Sequence, residues 1–551
     1  MSNKGNKFIK GAAILGIAGV VIKLLGAVFR IPLTNWIGDD GMSYYGFAYS
    51  IYGALLVLST AGIPVAISRM VSERIAVGEY KNAHKVFKVA TALLFFIGIF
   101  SFAACYFGGE YITAKLGNPD AALAVKAISP ALLFVPLFSA YRGYFQGRQN
   151  MNPTAISEIT EQLVRVIVGL YLAYKLLQTG LKEAAAGASF GASAGSIAGL
   201  GIIVVIYMLN RRTIHRKIDL NNKQVEETSV ILRKIISISV PIIIGCEIMP
   251  IMTLIDTGII MTRLQATGWS YAEAKSLYGL LSGFCNSLIA FPQVFTQAVA
   301  VSLVPAIAAA FKLRDKKNVQ ENIKLGYRTT MIMAFPCAFG IFALAEPILL
   351  LLYPAQKASA IAAVPTLMIM AISVIFLAIT QTSVGVLQSI GKQMVPVVHL
   401  GLGCVGKVII TYILVGVHSV NIKGAAIGTM LAYFVALVLN NISVKKYTGT
   451  KIDYDLTYVR PCIAAVIMGV CAYAFQKLAM GLLHSNSIAT LLAIMVGGIV
   501  YLILIFTLKA ITLAEVETMP GGTKLAVSYT HLGHRSSSAY NSALRSIESK
   551  G

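Results

Sequence analysis

Residues 8–37 read FIKGAAILGIAGVVIKLLGAVFRIPLTNWI, an apolar run interrupted only by Lys10, Lys23 and Arg30 among charged side chains. About 20 apolar residues in a helix cross the roughly 30 Å of hydrocarbon in a bilayer, so this segment is long enough to span one. Lys4, Lys7 and Lys10 in front of it give the outline of a secretory signal. The run continues past Lys23 and Arg30 with no small-residue cleavage site, so it reads as a retained first helix.

Runs of this kind recur to Lys509. Of the 551 residues, 57% are hydrophobic and 13% charged, against about 25% charged in a typical soluble domain. That balance excludes a soluble enzyme. The expected fold is an all-α polytopic membrane protein with about 14 transmembrane helices, at roughly 8–37, 43–68, 84–107, 121–145, 153–178, 186–210, 231–262, 276–309, 326–352, 360–388, 394–416, 422–444, 458–480 and 486–509.

The formal net charge of +23 would suggest a nucleic-acid partner in a soluble chain. Here the Lys and Arg residues gather in alternate connections, densest at Arg211 to Lys234 and Lys312 to Arg328. Cytoplasmic loops of membrane proteins collect such residues, so both termini are expected in the cytoplasm and no nucleic acid is implied. The seven cysteines, 105, 246, 285, 337, 404, 462 and 471, stand singly in apolar stretches and read as small core residues rather than zinc or redox sites.

An internal repeat organises the chain. Ser50-Ile-Tyr-Gly-Ala-Leu55 returns as Ser276-Leu-Tyr-Gly-Leu-Leu281, and Val65-Ala-Ile-Ser68 as Val299-Ala-Val-Ser302. Gly143-Tyr-Phe-Gln146, Pro153 and Arg165-Val-Ile167 match Gly385-Val-Leu-Gln388, Pro396 and Lys407-Val-Ile409; Gly187-Ala-Ser-Phe-Gly191 matches Gly424-Ala-Ala-Ile-Gly428. The offset spans six helices, an even number, so both copies run in the same sense and should be related by an axis along the membrane normal. The expected organisation is two pseudo-symmetric six-helix lobes, residues 1–210 and 231–444, joined by a cytoplasmic linker at 211–230. Two C-terminal helices at 445–510 lie outside the repeat. The Ser-rich tail, 511–551, reads as disordered or partly non-native.

Two same-sense lobes with two extra helices resemble the multidrug/oligosaccharidyl-lipid/polysaccharide flippase superfamily. Gly26-x-x-x-Arg30-Ile-Pro32, Ala61-Gly-Ile-Pro64, Phe145-Gln-Gly-x-x-x-Met151-x-Pro153 and Thr518-Met-Pro-Gly-Gly-Thr-Lys-Leu525 resemble its stage V sporulation protein B and MurJ-like branch in Gram-positive bacteria. The resemblance implies a plasma-membrane flippase for an undecaprenyl-diphosphate-linked precursor, with roles in peptidoglycan, cell shape or sporulation. It implies no enzyme activity and no cofactor. Family cavities hold several arginines; near Leu55 and Ser287, at two corresponding places, this chain is apolar, and Lys replaces Arg at Lys23.

Ionised side chains at membrane depth cost about 2.5–3.5 kcal/mol each on insertion scales, which makes those inside spans candidates for function. Lys23 and Arg30, seven apart, share one helix face and suit a diphosphate, Arg as a fork and Lys as a point charge. The alternative is that Arg30 reaches for the outer headgroups. Arg165 and Lys407 occupy matching positions of the repeat and are further substrate-binding candidates. Glu161 stands i, i+4 from Arg165, close enough to neutralise it; Lys407 has no such local partner, which makes it the better ligand. Asp256 is expected to pair with Lys23 or Arg263, or to exchange a proton or sodium ion. Glu247 joins it as a second carboxylate of the seventh span, with no assigned role.

Gly401-Leu-Gly-Cys-Val-Gly-Lys407 matches a dinucleotide fingerprint and nearly a phosphate loop. It sits in a membrane span with Val408 where Ser or Thr is required, so close helix packing is the better reading. The expected function is translocation of a lipid-linked oligosaccharide between leaflets by a monomer, in contact with membrane lipids, driven by H+, Na+ or membrane potential. The alternatives are a multidrug antiporter of the same superfamily and, less favoured, a membrane glycosyltransferase or polymerase.

Overall fold

The computed structural model describes the backbone over residues 2–219 and 225–511; the tail from 512 onward, and part of the 211–230 linker, lie outside the described residues. Everything described is helix or helix connection. The helices are α1 (Ser2–Thr60), α2 (Ile63–Ala76), α3 (Tyr80–Lys115), α4 (Ala122–Ile128), α5 (Ala131–Gly147), α6 (Asn152–Leu176), α7 (Leu181–Asp219), α8 (Thr228–Ala266), α9 (Tyr271–Gly279), α10 (Asn286–Lys312), α11 (Lys316–Ala343), α12 (Ala345–Leu352), α13 (Lys357–Ser389), α14 (Met394–Val415), α15 (Lys423–Thr448), α16 (Arg460–Leu483) and α17 (Asn486–Thr507).

Eleven of the helical stretches are long and apolar enough to cross a membrane, or twelve when the α11–α12 pair, bent by 81°, counts as one span. The difference from the fourteen expected has two physical sources. The first and second spans run together as α1 and are separated only by a break at Gly38, whose φ of 63° is open to glycine at no steric cost. The fifth span, α6, carries Glu158, Glu161 and Arg165 and is less apolar than the other spans, although it is 25 residues long. The expected all-helical polytopic fold is present.

The described chain forms two compact units. Of the described residues, the larger comprises those within 2–294, 352–370 and 394–436, and the smaller those within 295–351, 371–393 and 437–511. The larger unit packs α6 against α7 most closely. Gly187, Gly191, Gly195 and Gly199 repeat every fourth residue along α7, forming a stripe. A Cβ at Gly195 would come within 2.5 Å of the Glu161 carbonyl, and one at Gly191 within 2.7 Å of the Arg165 carbonyl, so only glycine permits this backbone approach. A second apolar cluster joins Ile63, Ile67, Met70 and Val71 of α2 to Val86 and Phe87 of α3 and to Ile231 and Ile235 of α8.

The smaller unit is tied by polar bonds inside an apolar setting. Thr330 and Thr382 hydroxyls meet at 2.7 Å, Tyr327 donates to Asn441 Oδ1 at 2.8 Å, and Tyr501 donates to the Ile332 carbonyl at 2.7 Å. Asn486 donates to the Pro347 carbonyl beside the α11–α12 bend. Asp315 caps α11 by accepting from the Asn318 N–H at 3.1 Å, and that bond holds its carboxyl below the ordinary value.

Two local readings resolve here. The glycine-rich segment at 401–407 is α-helix, and a Cβ at Gly403 would meet the Ala432 carbonyl at 2.5 Å, as expected of helix packing. Among the cysteines, Cys105, Cys285 and Cys404 are buried, but Cys246 is exposed on α8 and is not a core residue.

Candidate functional site

A cavity of about 230 Å³ opens between α1 and α10 within the larger unit. On α1 it is lined by Lys23, Gly26, Ala27 and Arg30, spaced i, i+3, i+4, i+7, so one helix face delivers both cations. On α10 the lining is Ser287, Ala290, Phe291, Gln293 and Val294. The pairing of Lys23 with Arg30 on one face holds as expected. No ion pair involves Arg30 among the described residues. The two small residues between the cations leave the wall low there, and a Cβ at Gly26 would have only Gln162 Nε2 as neighbour, at 3.8 Å.

The other two cationic candidates lie elsewhere, each against a carboxylate. Arg165 Nη2 is 3.2 Å from Glu161 Oε1, the i, i+4 pair expected on α6. The same glutamate takes a second guanidinium from Arg142 of α5 at 3.1 Å; Arg142 also lies 3.6 Å from Glu158 and donates to Ser157 Oγ. Two arginines and two glutamates thus cancel. Arg142 stacks over Phe138 with its guanidinium carbon 3.9 Å from the ring centre, which shields the network on its apolar side. Sequence reading missed Arg142; its signal was an arginine in the fourth span, one helix before two glutamates without a full complement of partners.

Lys407 requires a correction. The absence of a local partner on its own helix made it the better ligand, but its ammonium pairs with Asp256 of α8, and both side chains are nearly buried. The partner of Asp256 is therefore Lys407, neither Lys23 nor Arg263. Arg263 instead donates to the Tyr412 carbonyl at 3.3 Å and lies over that ring. The physical reason is that α8 and α14 pack side by side, with Gly245 against Val397 and Gly401 against Ile248, a proximity that spacing along one helix cannot reveal. Asp256 Oδ1 and Glu247 Oε2 are buried with no hydrogen-bond partner among the described residues.

At the helix ends near Gly38 a polar clasp joins early and late segments of the larger unit. Asp39 accepts from Ser276, Lys275 reaches Tyr44 OH at 2.9 Å and Asp40 at 3.4 Å, and Tyr271 donates to Asn118 Oδ1 at 2.7 Å. Below it, Tyr278 OH meets Thr257 Oγ1 at 3.0 Å and Ser50 at 3.5 Å. Ser50 and Tyr278 belong to the two copies of the repeated Ser-x-Tyr-Gly motif, so the copies touch one another here. At the opposite helix ends Glu226 gathers Arg74 at 2.6 Å, Lys85 through its carbonyl, and Asn82, which accepts from its N–H at 3.0 Å.

The site is thus a cavity with two cations on one helix face, inside an all-helical protein with eleven or twelve candidate membrane spans. Comparison with known proteins gives the family: the profile of the polysaccharide biosynthesis protein family matches residues 8–311, and the MatE profile matches 282–413. The chain belongs to the polysaccharide biosynthesis protein family, within the multidrug/oligosaccharidyl-lipid/polysaccharide flippase superfamily.

Relatives from Bacillus subtilis (strain 168) include the uncharacterized membrane protein YabM, 29% identical over 94% of this chain and 96% of that one. The lipid II flippase MurJ is 26% identical over 90% and 94%, and stage V sporulation protein B 25% over 93% and 98%. Among solved structures, an inward closed form of lipid II flippase MurJ matches with a TM-score of 0.64 at 16% identity, covering 89% of this chain and 97% of that one. An inward-facing multidrug transporter of the MATE family matches with 0.66 at 13% identity, over 79% and 99%. At such identities the structures show a shared fold.

Proposed function

We propose that this chain is a flippase that carries an undecaprenyl-diphosphate-linked precursor, lipid II or a related lipid-linked oligosaccharide, from the inner to the outer leaflet by alternating access. The observation that carries this is the cavity with Lys23 and Arg30 on one face. A diphosphate cannot enter hydrocarbon without partners for its oxygens, and these two cations replace its water. The likeness to lipid II flippase MurJ over nearly the whole chain supports the same cargo class.

With the interior negative, two negative charges moving outward gain about 4–5 kcal/mol per 100 mV, so membrane potential suffices as a driving force. Asp256 and Glu247, two buried carboxylates with an open oxygen each, are the groups that would serve H+ or Na+ coupling. The basic connections support cytoplasmic termini in a bacterial plasma membrane. The six-helix lobes at 1–210 and 231–444 are the moving bodies in this reading.

A second reading, a multidrug antiporter, is favoured by the MatE match and by the MATE-like fold. Its cationic substrates would meet Lys23 and Arg30 with repulsion. The test is complementation of a strain depleted of its own flippases, scored for lipid II exposure at the cell surface beside ethidium efflux. Restored exposure without efflux supports the flippase; efflux alone rejects it.

A further inference from the structure

A second hollow of the larger unit lies between α3 and α5, with a volume of about 470 Å³. It is open on its side: Lys88, Ala92 and Phe95 of its α3 wall are exposed, Phe95 by 43%. Leu137 and Tyr141 form the α5 wall. The two helices run antiparallel, since the Phe87 and Tyr141 rings meet at 4.9 Å whereas Gly98 lies against Leu132. At Gly98 the helices close, because a Cβ there would come within 3.1 Å of the Leu132 carbonyl and 3.3 Å of the Pro136 side chain. The hollow is therefore a groove that starts at Lys88 and ends at Gly98.

Its chemistry changes along its length. Lys88 and Tyr141 mark one end, and Ala92, Phe95 and Leu137 make the rest apolar. Among the described residues Lys88 enters no ion pair, and Tyr141 is engaged through its ring, with Phe87 and Tyr207, and not through its hydroxyl. Thr91 spends its hydroxyl hydrogen on the Phe87 carbonyl at 2.8 Å. None of the lining residues is acidic.

The helical rise from Lys88 to Gly98 is about 15 Å, half of the roughly 30 Å of hydrocarbon and so the depth of one leaflet. Lys88 stands near the start of the apolar run 84–107, which puts the polar end of the groove at headgroup level, where lysine and tyrosine side chains gather. A phospholipid has the complementary form: a phosphate for the ammonium, ester carbonyls that accept from a tyrosine hydroxyl, and an acyl chain one leaflet long. The charge selects the headgroup. A zwitterionic lipid brings an ammonium for which the groove has no carboxylate, whereas an anionic lipid brings nothing that Lys88 repels. A second copy of this chain is a poorer occupant, because a symmetric pair would set Lys88 against Lys88.

We propose that the α3–α5 groove holds one anionic phospholipid of the leaflet at its Lys88 end, with the headgroup on Lys88 and Tyr141 and one acyl chain along Phe95. The groove shares no residue with the cavity between α1 and α10. Its occupant is a resident lipid of the bilayer, so the proposal stands independently of the flippase reading.

The test titrates the full chain in detergent with phosphatidylglycerol or phosphatidylcholine and counts bound lipid by native mass spectrometry. The wild-type chain binds phosphatidylglycerol about fivefold more tightly, the contribution of one cation at the membrane surface. Lys88→Gln removes this preference, whereas Lys81→Gln, on the same helix but outside the groove, keeps it. Ala92→Phe fills the groove and weakens the first bound copy of either lipid. Tyr141→Phe, which keeps the ring and loses the hydroxyl, weakens both as well and serves in place of Ala92→Phe if that variant does not fold. A preference that survives Lys88→Gln, or falls equally with Lys81→Gln, would mean diffuse surface charge and overturn the proposal. Wild-type affinity in the groove variants, eluting as monodisperse protein, would overturn it too. Displacement of phosphatidylglycerol by undecaprenyl diphosphate would assign the groove to cargo and refute a resident lipid.

Discussion

Asp256 of α8 and Lys407 of α14 neutralise one another inside the apolar bulk of the larger unit, with side-chain exposures of only 12% and 11%. A buried ion pair contributes little net stability relative to apolar residues of the same volume, because desolvating two charges offsets their attraction. Removing one partner is a different matter, since it strands the other charge. The pair thus fixes which face of α8 meets which face of α14.

Asp256→Asn and Lys407→Ala should each lower stability by about 3–5 kcal/mol. The double variant should recover most of that loss, since neither charge is then stranded. Thermal unfolding in detergent measures this. Equal destabilisation by single and double variants would refute the pairing.

Arg30→Ala should abolish complementation of a flippase-depleted strain while membrane abundance stays at the wild-type level. Arg30 has no ion-pair partner to lose among the described residues, so folding is spared and only cargo affinity suffers. A charged hydrogen bond of about 1.5–3 kcal/mol corresponds to roughly 10- to 150-fold in binding. Growth at the wild-type rate would contradict the cradle.

Gly279 sits against the Asp39 backbone so closely that no side chain fits between them. Gly279→Ala should therefore cost about 1–3 kcal/mol through overpacking and loosen the clasp formed by Asp39 with Ser276. Hydrogen exchange of the 38–44 and 271–279 backbone reports it; unchanged protection there would show that the contact does not hold these segments together.

Glu226→Gln removes the carboxylate that draws in Arg74, itself nearly buried at 7% side-chain exposure. Loss of a charge-assisted bidentate contact should cost about 1.5–3 kcal/mol and loosen the start of α8 from α2 and α3. Hydrogen exchange of the backbone at 225–231 tests this, and protection equal to wild type would mean that this end of α8 is held by other contacts.

How much of this was legible from residues alone follows from the range of the interactions. Lys23 and Arg30 share a helix face because seven residues make nearly two turns, and Glu161 with Arg165 because four make nearly one; both relationships are local. Lys407 with Asp256 and Arg142 with Glu158 and Glu161 connect different helices, and nothing in their spacing encodes which helix lies alongside which. Gly38 was silent for another reason. A single glycine between two apolar runs looks the same whether the chain loops out or bends within one continuous helix.

The charges on α6 bear on how the protein is made. Glu158 and Glu161 lie on a helix whose one ion-paired cation is Arg165, Lys175 standing in its last turn, whereas Arg142 sits on α5, synthesised just before. The stretch containing α5 is apolar enough to cross the bilayer, whereas α6 is not, so closing the hairpin of the two, in which Arg142 meets the glutamates, lowers the cost of placing α6 in hydrocarbon.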